Sequence, residues 1–429
     1  MNSTDTRARA VVVSAAVLHS AAETLKEYDE FLRAGRSALV AGCPDPRSAE
    51  EIPSSSLNGF DVRQWAERHL ADAEDARRRL RRAAARATLP VRTAACVAMA
   101  AVRAARLTPR ERANLILLVA GNNLSLAHHA AAVLEYNRDV RTVRARHLLD
   151  CLDTDTVGAV SEAVGVHAEG WTVGSASASG TTALIQGVRL IEAGSTEHCL
   201  VVAPATDLSP VEIAALRLSG ALAAVGDETP EAACRPFDAD RSGFAYGCGA
   251  AAVVLEAPRE HSRAHAPAPL GYVLGHGQYL DGRRGTAPDM EGQCTAMRLA
   301  LASARLAPEN IDYVNAHGTG SVLGDEVESR ALHTVFGDSE SPWTNSTKGL
   351  IGHCLSAAGL LEAVATLLQL NGGYCHASPW LRRPVRPGPR FTGREPALLP
   401  LRTAMSNSFA FSGINSSVVL GRATGKERS

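Results

Sequence analysis

An α/β fold built from two similar halves is what the sequence predicts, on three observations. Apolar runs of strand length recur along the chain. Stretches of helical pattern separate them. The order of these elements in residues 257–429 resembles the order in residues 1–256.

Residues 9–16 (RAVVVSAA) read as a first strand and residues 21–34 as a helix. Residues 41–60, rich in Pro, Ser and Gly, read as loop. Residues 72–106 read as helical. Asp72, Glu74 and Asp75 precede Arg77, Arg78, Arg79, Arg81 and Arg82, the charge order that suits the helix dipole, and an alanine-rich stretch follows. Residues 115–120 (LILLVA), 200–205 (LVVAPA) and 250–256 (AAVVLE) are apolar without alternation, the pattern of strands covered on both faces, and residues 180–193 form a helix between them. Strands of that kind alternating with helices point to largely parallel sheets. Residues 257–268 read as a connector. Beyond it, 270–275, 311–315 and 417–421 read as strands, 293–304, 325–336 and 355–370 as helices, and the last eight residues as a frayed tail.

Composition narrows the function classes. The chain has 429 residues, 45% hydrophobic and 21% charged, with a formal charge of −1. That is a soluble globular composition, and it excludes a strongly basic nucleic-acid binder. No apolar stretch approaches the roughly 20 residues that span a bilayer. The N-terminus lacks a long apolar core and a cleavage site, so the expected location is the cytoplasm. Nine cysteines, none in a C-x-x-C pair, suit reduced thiols. The Cys and His residues lack metal-ligand spacing, so no metal is expected. Lysine is rare, occurring only at 26, 348 and 426, which singles out Lys348.

Three segments carry candidate chemistry. In Asn315-Ala-His317-Gly-Thr319-Gly-Ser321, a strand ends in a histidine and then in small residues that let a substrate approach the backbone. In Lys348-Gly-Leu-Ile-Gly352-His353, a loop with Lys and His runs into an apolar helix. In Asn407-Ser-Phe409-Ala-Phe411-Ser-Gly413-Ile-Asn415, two phenylalanines are spaced by one small residue. Each alone is compatible with an ordinary packed or solvated residue; the combination is not.

These segments resemble the β-ketoacyl synthases, condensing enzymes of the thiolase-like fold. Asn-Ala-His317-Gly-Thr is similar to that family's first histidine motif, and Lys348 with Gly352-His353 to its lysine and second-histidine motif. The Asn407 segment is similar to its N-S-F-G-F-G-G loop, with Ala410 and Ser412 replacing glycines. Arg235-Pro-Phe-Asp238 through Gly247-Cys248-Gly-Ala250 is similar to its R-P-F-D…G-E-G-A stretch, with Cys248 in place of Glu. The resemblance implies two thiolase-like halves, residues 1–256 and 257–429, in a layered α/β/α/β/α architecture.

The departure with the largest chemical consequence is at the nucleophile. The family's cysteine precedes a central helix in a pattern like A-C-x-S-G; here the segment is Ala176-Ser177-Ala178-Ser179-Gly180. A helix N-terminus lowers a thiol's pKa towards neutrality, but a serine hydroxyl needs a general base. His317 and His353 are the candidates. Three explanations stand open for Ser177: a working nucleophile with a histidine base, a relative that has lost or diverted condensation, or a Cys-to-Ser replacement introduced to slow turnover.

By resemblance, Ser177 takes an acyl group from the phosphopantetheine of an acyl carrier protein, and no other cofactor is implied. The amides of Ser177 and Phe411 form an oxyanion hole. His317 and His353 assist decarboxylation of a malonyl-type extender, and Lys348 orders the site with Glu362 as a structural partner. Thr319, Ser321 and Phe409 line the pantetheine and substrate path. Arg78, Arg79 and Arg82 dock the acidic carrier. The implied assembly is a homodimer or a heterodimer with a related synthase subunit, and the implied reaction is acyl transfer to Ser177 followed by decarboxylative Claisen condensation in polyketide or specialised fatty acyl assembly. Alternatives are a diverted enzyme that transfers, cyclises or hydrolyses its acyl group without extension, and a non-catalytic chain-length partner subunit.

Overall fold

The computed structural model describes residues 8–42, 51–223, 229–258, 261, 265–337 and 342–423. Ten strands form the frame: β1 (Ala10–His19), β2 (Ile116–Ala120), β3 (Gly170–Val173), β4 (His198–Ala203), β5 (Gly249–Glu256), β6 (Gly271–Leu280), β7 (Tyr313–Asn315), β8 (Trp343–Asn345), β9 (Thr403–Ala410) and β10 (Ile414–Arg422). Their order is β3-β2-β4-β5-β1, then β6-β10-β9-β7-β8, with the two-residue strand Arg390–Phe391 beyond β8.

The two sets of five repeat one topology. In each, the first strand pairs antiparallel with the last, the last antiparallel with the fourth, and the fourth, second and third run parallel. A short antiparallel pairing of Ala10–Val12 with Gly271–Val273 joins the sets. The sheets are therefore mixed, not largely parallel as expected. The apolar runs report burial of both faces, and burial does not encode strand direction.

Alternation within the strands explains those runs. Val11, Val13, Leu117, Val119, Leu200 and Val202 point into one core with the outer helices. Val12, Val17, Leu118, Val201, Val253 and Leu420 point into a second core. The second core holds the two central helices, Ser179–Glu192 and Ala358–Gly372. These helices cross at glycines: a Cβ on Gly180 would lie 2.6 Å from the Leu360 amide nitrogen, and one on Gly359 would lie 2.1 Å from Thr181 Oγ1.

Two expectations for the first half change. Within 41–60, Val40–Gly42 and Ile52–Ser55 are strands of a small sheet completed by Tyr246–Gly247; part of that stretch, like parts of the connector, the N-terminus and the tail, lies outside the described residues. Residues 72–106 form two helices, Glu74–Ala84 and Leu89–Ala104. Pro90 cannot sit in a helix interior, so a new helix begins around it.

Candidate active site

Ser177 lies in a 3-10 turn, Ala176–Ala178, between β3 and the central helix Ser179–Glu192. Ala176 takes a left-handed φ of +45°. Ser179 Oγ accepts from the Ser175 amide at 2.8 Å and donates to the Ala176 carbonyl at 2.7 Å, fixing the turn. The helix behind is buried, while Ser177 stays partly accessible.

A second turn of the same kind, Leu355–Ala357, precedes the other central helix, and Leu355 has φ +49°. His353 stands just before it. Its backbone is held by the Ala245 carbonyl (2.8 Å) and the Gly247 amide (3.0 Å). Its Nε2 lies 3.0 Å from Ser177 Oγ, and its Nδ1 accepts from the Leu355 amide at 3.1 Å. That N–H requires a lone pair on Nδ1. Burial and the nearby Lys348 charge hold the imidazole pKa well below its ordinary value, so the ring is neutral. A neutral ring with a lone pair on Nδ1 carries its proton on Nε2. His353 therefore donates to Ser177 Oγ. The expected use of His353 as a base towards Ser177 does not fit this tautomer.

His317 sits where β7 ends. Its ring meets that of His353 edge-on, centroids 5.6 Å apart, and that of Phe409 at 6.1 Å. Burial, Lys348 and His353 together lower its pKa well below the ordinary value. The loop it opens is tied by two carboxylates on the following helix, Val322–Phe336. Glu328 accepts from the His317 and Gly318 amides at 2.8 and 2.7 Å, and Asp325 from those of Thr319 (3.0 Å), Gly320 and Phe237 (2.6 Å). Burial pushes both carboxyls up, Asp325 to about 6 and Glu328 to about 8, against the pull of these donors.

Lys348 is fully buried. Its Nζ donates to the His317 carbonyl at 2.6 Å and pairs with the buried Glu362 carboxylate. It thus holds the backbone of His317 rather than its ring. Cys248, in the glutamate position, is a buried thiol pushed up to about 12 by burial, with its amide on the Ser55 carbonyl; its surroundings are structural.

Ser177, His317 and His353 open onto one cavity of about 840 Å³, which Phe409, Phe411 and Thr319 also line. Ser321 lies there too, its Oγ 2.9 Å from Thr319 Oγ1. Phe411 is 43% exposed at the tip of the β9–β10 turn, where Ser412 takes a φ of +67° in place of a glycine. Phe244, within the Arg235–Ala250 stretch quoted above, lines the same cavity, as do Asp281 and Gln293, which the sequence reading did not single out. Phe244 stacks edge-on against His353 at 5.0 Å. Single residues in no periodic pattern leave no signal in one sequence.

The arginines lie apart from this cavity's lining, on the helix Glu74–Ala84, and each has an internal partner. Arg78 pairs with Asp75 (2.9 Å), Arg82 with Glu162 (2.6 Å), and Arg79 donates to the Ala163 carbonyl (3.2 Å). Among the described residues, no group of three His, Cys, Asp or Glu side chains is placed to hold a metal ion, and no helix is long and apolar enough to cross a membrane.

Comparison with known proteins agrees with this geometry. The family model described as "Beta-ketoacyl synthase, N-terminal domain" matches residues 8–261, and its C-terminal counterpart matches residues 270–381. The polyketide biosynthesis malonyl-ACP decarboxylase PksF of Bacillus subtilis (strain 168) is 34% identical over 318 residues, covering 74% of this chain and 76% of that protein. The mitochondrial 3-oxoacyl-[acyl-carrier-protein] synthase of Arabidopsis thaliana is 35% identical over 272 residues, covering 61% of this chain and 58% of that one. Among solved structures, the ishigamide ketosynthase/chain length factor superposes with a TM-score of 0.84 at 26% identity, over 97% of this chain and 100% of that one. A β-ketoacyl synthase from Burkholderia phymatum STM815 gives 0.83 at 26%, over 97% and 99%. The repeated five-strand topology around two central helices is the thiolase-like fold, and the chain belongs to the β-ketoacyl synthase family.

Proposed function

We propose that this protein decarboxylates a malonyl-type thioester carried on the pantetheine of an acyl carrier protein, without requiring an acyl-enzyme. The observation that carries the reading is the Leu355 amide on His353 Nδ1, which leaves Nε2–H as a fixed donor facing the cavity. His317 fits the same role, since its buried Nδ1 lacks a described partner to receive a proton, which favours the Nε2–H form. Two neutral donors suit an enolate. The bond between the α-carbon and the carboxylate breaks, carbon dioxide leaves, and the electron pair moves into an enolate whose oxygen accepts from both imidazoles. A proton from water then converts the α-carbon to a methyl group, giving an acetyl-type thioester. A serine hydroxyl that receives a hydrogen bond is a poor acyl acceptor, so loading is the half of the condensing cycle this site serves least. A relative 34% identical over 74% of this chain bears the name malonyl-ACP decarboxylase, which agrees.

Condensation through an acyl-Ser177 is the second reading. What favours it is the 3.0 Å contact of Ser177 Oγ with His353 Nε2 and the partial exposure of Ser177. It needs the His353 proton moved to Nδ1, which the Leu355 amide opposes. In that reading the amides of Ser177 and Phe411 serve as the oxyanion hole.

Carrier docking on Arg78 and Arg82, whose side chains remain largely exposed, belongs to either reading. So does a partner subunit over the open edge of β3, whether a second copy or a related subunit as in the ishigamide ketosynthase/chain length factor.

The deciding experiment mixes the protein with a malonyl-loaded carrier and follows the carrier by intact mass spectrometry. Loss of 44 Da to an acetyl form, retained in Ser177→Ala, is the expected result. Two-carbon extension of a second acyl-carrier, abolished in Ser177→Ala, establishes the condensing reading instead. The pH dependence is a separate check. Both imidazoles titrate well below the free value of about 6.5. The neutral donors therefore persist as pH falls, and no break near 6.5 is expected from the imidazoles; changes nearer 8 or 6 report the Glu328 and Asp325 carboxyls that tie the His317 loop.

A further inference from the structure

A malonyl group brings a carboxylate into the catalytic cavity, and the described residues lining that cavity offer it no cation. None of them is lysine or arginine, and Glu212, Asp281 and Glu328 add carboxyls of their own. Lys348 is sealed behind the wall, engaged by the His317 carbonyl and Glu362. The two imidazoles serve the thioester oxygen. A carboxylate taken out of water needs hydrogen bonds, so neutral donors must supply them.

Several neutral polar groups on the wall are already engaged. Thr206 Oγ1 and Ser356 Oγ pair at 2.7 Å, and Ser219 Oγ donates to the Leu216 carbonyl at 2.8 Å. Asn122 is different. It follows the tip of β2, beside the turn that carries Ser177: β2 and β3 run in register with Ala120 opposite Val173, and the Gly121 amide donates to the Val173 carbonyl at 2.8 Å. The loop that bears it is held from outside, since Asp153 accepts from the Asn123 and Leu124 amides at 2.7 and 2.9 Å. Asn123 takes a left-handed φ of +54°, which asparagine tolerates better than most residues, so its identity has a backbone reason. Asn122 has none of that kind. It is exposed, lines the cavity, and no other described residue engages its carboxamide.

We infer that the Asn122 side-chain N–H donates to the malonyl carboxylate and turns it out of the plane of the thioester. The inference rests on the malonyl substrate proposed above. The bond that breaks must stand across that plane for its electron pair to enter the enolate. A neutral donor orients the carboxylate without the charge pairing of a lysine or arginine. Such pairing would favour the ground state, because the negative charge leaves the carboxylate as the bond breaks. Asn122 thus selects an acidic acyl group over an alkyl one and takes no part in proton transfer.

The test is a binding measurement, independent of turnover. The S-carboxyethyl thioether of pantetheine keeps the carboxylate but lacks the carbonyl that would accept the electron pair, so it is unreactive. Its S-isopentyl counterpart has the same shape without the charge. Each is titrated calorimetrically into the unaltered protein, Asn122→Leu and Asn122→Asp. Both variants are expected to bind the carboxyethyl compound about tenfold more weakly, the loss of one hydrogen bond to a charged group. The isopentyl compound, which needs no donor, should be little changed, and that also shows the variants to be folded. The aspartate keeps the shape of asparagine, so a loss there reports the missing donor and not a vacated space. Unchanged binding of the carboxyethyl compound in the variants, equal weakening of both compounds, or no binding of the carboxyethyl compound by the unaltered protein overturns the inference. Failure of the decarboxylase reading appears separately, as an Asn122-dependent preference for the carboxylate without release of carbon dioxide from the malonyl-loaded carrier.

Discussion

Replacing His353 with alanine is expected to lower carbon dioxide release from the malonyl-loaded carrier by about 10²–10³-fold, the effect of removing one preorganised donor from a developing oxyanion. Ser177→Ala should stay close to the parent rate. The contrast follows from the direction of one hydrogen bond. With the Leu355 amide on Nδ1, His353 gives its proton outward, towards Ser177 Oγ or towards a substrate oxygen that displaces it. Removing the serine leaves that donor in place; removing the imidazole leaves the enolate oxygen with His317 alone. Release of labelled carbon dioxide, measured at saturating carrier, decides the matter. Equal losses in the two variants would place Ser177 on the reaction path and favour the acyl-enzyme. His353→Gln, which keeps a donor, should recover part of the rate only if donation is the role.

Lys348→Met is expected to destabilise the fold by about 3–5 kcal/mol, because it leaves the Glu362 carboxyl buried without its counter-charge. Both side chains are sealed from solvent. Burial alone pushes the Glu362 carboxyl up, and the lysine pulls it back down; without the lysine it must take up a proton or draw in water. Replacing both partners, Lys348→Met with Glu362→Leu, should recover much of the stability, since an apolar pair of similar volume avoids the desolvation cost. Activity should not return with it. Lys348 Nζ also donates to the His317 carbonyl, and an apolar side chain cannot hold that backbone. Denaturant midpoints and decarboxylation rates on the same three proteins separate the two roles. Full activity in the double variant would mean that Glu328 and Asp325 position the His317 loop without the lysine.

Much of the site was legible because small residues around His317, His353 and Phe411 recur in three compact segments. Glycines there are needed for geometry: Gly318 at φ +35° and Gly320 at φ +84° turn the His317 loop. The direction of the proton on His353 was not legible, since a backbone amide two residues away sets it and any residue supplies that amide. Arg79 read as a docking residue together with Arg78 and Arg82; that its Nε engages the Ala163 carbonyl was not legible, because the two are distant in sequence. In the fold, strands came through clearly in β1, β2, β4 and β5, where both faces are apolar. The direction in which they pair did not, because Val12 and Val13 are equally buried whichever way the neighbouring strand runs.

The two turns that precede the central helices are copies of one device. Each opens with a left-handed residue, Ala176 or Leu355, and each places a serine second, Ser177 or Ser356, before a buried helix. The copies have specialised. Ser177 Oγ meets His353 Nε2 at the cavity, whereas Ser356 Oγ is occupied by Thr206 Oγ1 at 2.7 Å. The second turn contributes instead through its opening amide, that of Leu355, which orients the imidazole of His353 two residues earlier. One backbone shape thus presents a hydroxyl in the first turn and locks an imidazole in the second, and the lock on His353 needs nothing from Ser177.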